Sequence, residues 1–134
     1  MKIFRRFFQF ILVWLCCLVA STAFAVNYYC EPTKRVDPIK EWSKEEIKKW
    51  KFSNKLEDMG DKAYISRCSF SSSAGKVTCD KYEVDHIERS PISNIKKYYY
   101  FKGQMDFQLF PGLQYVENNG RETIRWGKCR ITSP

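Results

Sequence analysis

The chain has one histidine, His86, so any chemistry that needs an imidazole must be built around it. On an extended strand Asp80, Tyr82, Val84, His86 and Glu88 share one face, which sets His86 beside Glu88 with Asp80 farther along. A small hydrolase would use His86 with Asp80 or Glu88 as its acid–base pair. Polar residues at alternate positions are equally what the wet face of any strand looks like. No nucleophile elbow, phosphate-cradling glycine loop or H-E-x-x-H helix accompanies the histidine. The sequence therefore assigns no catalytic residue, no metal and no cofactor.

A second candidate is the run Lys96-Lys97-Tyr98-Tyr99-Tyr100-Phe101-Lys102. In a strand Tyr98 and Tyr100 point one way and Lys97, Tyr99 and Phe101 the other. One set must be core; the other would offer an aromatic, basic platform for sugars, peptides or bases. Near the C-terminus Arg121, Thr123 and Arg125 alternate with Glu122, Ile124, Trp126, Lys128 and Arg130. Trp126 suits a core better than a ligand contact, whereas Arg125 or Arg130 would meet an acidic partner. The candidate binding patch is Lys97, Tyr98, Tyr100, Arg125 and Trp126.

Cysteine chemistry is the third candidate, and it depends on the first 25 residues. Lys2, Arg5 and Arg6 precede an apolar run from Phe7 to Val19, and Ala23-Phe24-Ala25 supplies a small-residue cleavage site. Residues 1–25 are expected to be a cleavable signal peptide. An uncleaved leader acting as an anchor is the alternative, and the only route to a membrane. Cys30, Cys68, Cys79 and Cys129 then remain in residues 26–134, an even set that reads as a disulfide framework in an exported domain. Ser73-Ala74 as a hairpin tip would bring Cys68 directly opposite Cys79. Cys30 would then pair with Cys129, and the other two connectivities stay open on spacing alone.

The elements that must position these groups are mostly strands. Ser43 and Glu46 form an S-x-x-E capping box that predicts a helix over about 44–50. After it come short strand-like runs at 51–58, 62–71, 76–88, 95–102, 105–110, 113–117 and 121–131, separated by turn residues. Asn27–Glu31 would be an eighth. Asn119-Gly120 between two such runs signals a hairpin. The expected fold is mainly β: a small antiparallel meander, up-and-down barrel or curled sheet of seven to eight strands, with one short N-terminal helix and two disulfides.

Removing 25 of the 134 residues would leave 109, a single-domain length. Three of the 23 basic residues and none of the 15 acidic ones fall in the leader, so the remainder carries a net charge of +5. Its charges are interleaved rather than blocked, which disfavours nucleic acid as a partner. The sequence thus predicts an exported binding protein without catalysis, secreted or periplasmic, of an inhibitor, immunity or partner-sequestering kind. Its partner would be a protein or an anionic envelope component; a small apolar ligand inside a barrel is a variant.

Overall fold

The computed structural model describes residues 24–133, so the expected leader lies outside them up to residue 23. Strands β1 (Val26–Asp37) and β2 (Lys40–Glu41) form a short hairpin that leads into helix α1 (Lys44–Lys49). Both halves of the capping box are made: the Ser43 hydroxyl accepts from the Glu46 N–H, and the Glu46 carboxylate accepts from the Ser43 N–H. The remaining strands are β3 (Ser53–Asp58), β4 (Ala63–Ser71), β5 (Lys76–Glu83), β6 (His86–Arg89), β7 (Lys96–Tyr100), β8 (Met105–Leu109), β9 (Gln114–Asn118) and β10 (Ile124–Ser133).

These strands make one antiparallel sheet in the order β5-β4-β3-β1-β10-β9-β8-β7-β6, with β2 attached to β1. Two sequential meanders, β3–β5 and β6–β10, are thus joined through β1, which pairs with β3 on one side and β10 on the other. Inward-facing residues alternate along each strand: Asn54, Leu56 and Asp58 on β3 lie opposite Arg67, Ile65 and Ala63 on β4. The sheet curls until distant strands touch across its concave side. Asp58 on β3 accepts from Lys96 and, at 2.6 Å, from the Tyr98 hydroxyl on β7. The result is a half-barrel whose core is Leu56, Ile65, Tyr98, Phe107 and Tyr115, closed in the middle by Cys30–Cys129. Phe107 and Tyr115 stack there at 5.0 Å.

Two departures from the expected layout matter. The short strand expected at Asn27–Glu31 is a full twelve-residue strand, β1, that sits inside the sheet between β3 and β10. Pro32, which has no N–H for a ladder, falls at a register shift between Pro32 and Lys34, where that donor is not required. Gly127 opposite it lets the two strands close up, since a Cβ there would stand 2.1 Å from the Glu31 carbonyl oxygen.

The expected single strand 76–88 is also divided. The Val84 N–H bonds to Ala63 on β4, while the next N–H, Asp85, bonds to Tyr99 on β7. The chain changes partners within two residues and its inward parity shifts by one.

Asp58 supplies a pH prediction. Burial alone would raise its carboxyl, but hydrogen bonds from Lys96, Tyr98 and the Gly60 N–H hold it below the usual carboxylate value. A carboxylate depressed in the folded state contributes stability above its unfolded pKa of about 3.9, and that contribution is lost as pH falls below this value toward the folded one. Urea midpoints are expected to drop as pH falls below about 4. Asp58→Asn should lower the midpoint at pH 7 and flatten that acid limb; an unchanged limb would remove Asp58 as its cause.

Candidate functional site

The concave side holds two rows of polar side chains near Trp42 and Phe52, which flank α1 in sequence. One row crosses β1, β10 and β9: Arg35 lies opposite Arg125, and Arg125 opposite Glu117. The other crosses β3, β4 and β5: Asn54 lies opposite Arg67, and Arg67 opposite Asp80. The rows meet at Glu117, which is fully buried. Its two oxygens accept from Arg67 Nε at 2.9 Å and from Asn54 Nδ2. Asp37, at the end of β1, takes Trp42 Nε1 at 2.6 Å on one oxygen and the Thr123 hydroxyl on the other.

Aromatic rings back the arginines. Arg35 sits over Trp42 at 4.2 Å and over Phe52 at 4.4 Å, and Arg125 is 4.7 Å from the same Phe52 ring. Arg125 is only 4 % exposed. Burial lowers its pKa to about 10, opposed by Glu117 and reinforced by the positive neighbours Arg67 and Arg35. Five atoms of this group are buried without a hydrogen-bond partner: Arg35 Nε, Arg125 Nε and Nη1, Asn54 Oδ1 and the Tyr115 hydroxyl.

Of these rows, Arg67 and Asp80 reach the open side of the half-barrel. The free edge of β5 and the turns after β7 and β9 border a slit of about 390 Å³, lined by Arg67, Asp80, Tyr82, Tyr100, Lys102 and Arg121. Tyr82 and Tyr100 meet there with ring centroids 5.0 Å apart. Arg67 belongs to both features: it lines the slit and holds Glu117. A larger recess, about 790 Å³, lies outside the sheet between α1 and the outer faces of β1 and β3. Its walls include Tyr29, Ile47, Phe52 and Val77, flanked by Lys44 and Lys48. The slit is the better candidate site because polar groups converge on it from several strands, backed by a buried charge network.

The expected patch is divided by the sheet. Tyr98 and Arg125 face the interior, Tyr100 the slit, and Lys97 and Trp126 the outer face. Trp126, expected in the core, is 36 % exposed, with Lys34 over its ring at 5.5 Å. The reason is parity: Cys129 must face Cys30 inside, so Gly127 and Arg125 face inside with it and Trp126 faces out.

The partner change at Val84–Asp85 likewise places Asp80 in the slit but His86 and Glu88 on the outside. His86 therefore cannot act with Asp80. It is exposed and stacks on Tyr99 at 5.8 Å, while Glu88 accepts from the Tyr99 hydroxyl at 3.2 Å.

The disulfide Cys68–Cys79 is formed as the hairpin register predicts, Cys30–Cys129 is the remaining pair, and both fit an oxidising environment. Among the described residues no group of three or more His, Cys, Asp or Glu side chains is arranged to hold a metal, and no helix is long and apolar enough to cross a membrane.

The sequence does not single out Arg35, Asn54, Arg67 or Glu117, and it places Lys102 and Arg121 in candidate strands without joining them to one site. Parity with Cys129 on β10 and with Ile65 on β4 was the available signal for Arg125 and Arg67. No family model matches the chain, and no curated protein and no solved structure matches it either.

Proposed function

We propose that this is an exported binding protein without catalysis, working in the periplasm or extracellular space on a negatively charged ligand or envelope component that enters the slit. The observation that carries this reading is the slit's rim: Arg67, Lys102 and Arg121 against a single acid, Asp80, around a pair of tyrosines. Such a cavity is within the size range of small-ligand sites. Its excess positive charge raises the local concentration of anions and selects for them. The apolar part of the interior is occupied by Tyr98, Phe107 and Tyr115, which favours a charged ligand over an apolar one.

Export is supported by the two disulfides and by β1 starting at Val26, so that cleavage after Ala25 would leave the strand whole. Matched pairs test the ligand class by tyrosine fluorescence: glucuronate against glucose, and glycerol phosphate against glycerol. The charged member of at least one pair should bind ten times more tightly or better. Lys102→Glu/Arg121→Glu should abolish that preference without lowering the melting temperature. Equal binding within both pairs, or a preference untouched by the charge reversal, would sink the reading.

A further inference from the structure

Behind the slit, the arginine row is more than a structural ion pair. Three guanidinium groups, Arg35, Arg67 and Arg125, share the interior with two carboxylates, Glu117 and Asp37. Each carboxylate oxygen already holds a donor: Glu117 has Arg67 and Asn54, and Asp37 has Thr123 and Trp42. Arg125 Nε and Nη1 have no hydrogen-bond acceptor although Arg125 is more than nine-tenths buried, and Arg35 Nε has none either, only a long ion pair with Asp37 Oδ1 at 3.9 Å. Buried donors on a charged group are among the costliest to leave unpaired, and such groups are otherwise paired almost without exception. Arg35 and Arg125 are directly opposed across the β1–β10 ladder, so their free donors belong to adjacent side chains on the concave side.

We propose that Arg35, Arg67 and Arg125 form an internal receptor for an oxyanion, a phosphate or carboxylate group of the ligand that enters through the slit. An oxyanion supplies what the row lacks: several acceptors in one compact group and a negative charge to balance the third guanidinium. Guanidinium is suited to this because its planar N–H fork matches the spacing of two oxygens. A water molecule would satisfy a donor but leave the charge uncompensated. Arg67 is the link to the outside, with 23 % of its side-chain surface accessible and one edge already fixed on Glu117. The Tyr115 hydroxyl, unpartnered in the same group, stays protonated because burial and then Glu117 push its pKa up, and it is a further donor to the anion.

This proposal rests on the slit being the ligand's way in, and the test separates the two. Melting temperature is followed while sodium chloride is replaced by sodium phosphate or sodium acetate at constant ionic strength. The protein should gain stability saturably in one of them, since a ligand bound to the folded state stabilises it by mass action. Gain in phosphate alone identifies a phosphate group, and gain in acetate alone a carboxylate. Arg125→Met should lose that gain, and Arg67→Gln should require at least ten times more anion.

Phosphate also stabilises proteins generally, by exclusion from their surfaces. An Arg125→Met protein that keeps the full gain would therefore overturn the receptor. Where Arg125→Met does not fold, the ¹⁵Nε side-chain resonances of Arg125 and Arg35 in the unsubstituted protein decide: they should shift saturably with phosphate or acetate. Shifts confined to the Tyr82 and Tyr100 rings would contradict the receptor while leaving slit binding intact; no shift in either set would remove both.

Discussion

Replacing Glu117 by glutamine is expected to destabilise the protein by about 3–5 kcal/mol, because breaking a buried ion network from one side leaves uncompensated charge behind. Glu117 is completely buried and holds Arg67 and Asn54 together across the concave side. Glutamine preserves the volume but removes the charge facing three guanidinium groups, and offers one acceptor where there were two. Total stabilities of domains this size run about 5–15 kcal/mol, so the variant should be partly unfolded well below the parent's urea midpoint. Adding Arg125→Met should recover a large part of the loss, because it removes one of the charges that Glu117 balances. The double-mutant cycle should then show a coupling of about 1–3 kcal/mol. A Glu117→Gln cost under about 1 kcal/mol, the scale of an exposed pair, would mean that the network is solvated rather than buried.

The second large effect concerns the terminal staple. Cys30→Ala/Cys129→Ala opens a closure spanning 99 positions, whereas Cys68→Ala/Cys79→Ala opens one of 11. On the chain-entropy account these are worth about 4–5 and about 2–3 kcal/mol respectively. The difference should be amplified structurally. Cys30–Cys129 crosses the β1–β10 ladder, one of the two ladders through which β1 joins the meanders, while Cys68–Cys79 sits within one hairpin. The first variant should therefore lose more in urea denaturation under non-reducing conditions. Equal losses would show that the β1–β10 ladder holds the meanders without its staple.

Much of the fold is legible where local chemistry decides it. The Ser43–Glu46 box sets α1. The turn at Ser73-Ala74 fixes a register that carries Cys68 opposite Cys79 all the way to Tyr64 opposite Glu83. The Asn-Gly turn is a hairpin, though wider than the signal suggests. Residues 119–123 form the loop, with the Asn119 carboxamide oxygen accepting from the Arg121 and Thr123 N–H groups, so β10 starts at Ile124 rather than Arg121.

What stays hidden is set by tertiary pairing. The expected strand stops at Glu31, just before Pro32, because nothing in the sequence announces that a bulge will absorb the proline. The parity shift at Val84–Asp85 separates Asp80 from His86 through hydrogen bonds to two different strands, and no local pattern encodes them. The charged interior is hidden for another reason. Arginine on a strand reads as solvated, and only the inward-facing cysteine four residues on places Arg125 inside.

The central claim is that an oxyanion completes the arginine row behind the slit. Difference density in crystals of the oxidised protein grown from sodium phosphate or sodium acetate tests it most directly. The expected result is a bound anion with an oxygen at about 2.7–3.2 Å from Arg125 Nε or Nη1 and a second contact from Arg35 or Arg67. Arg125 fully paired with protein groups, with no anion beside it in either salt, would contradict the claim.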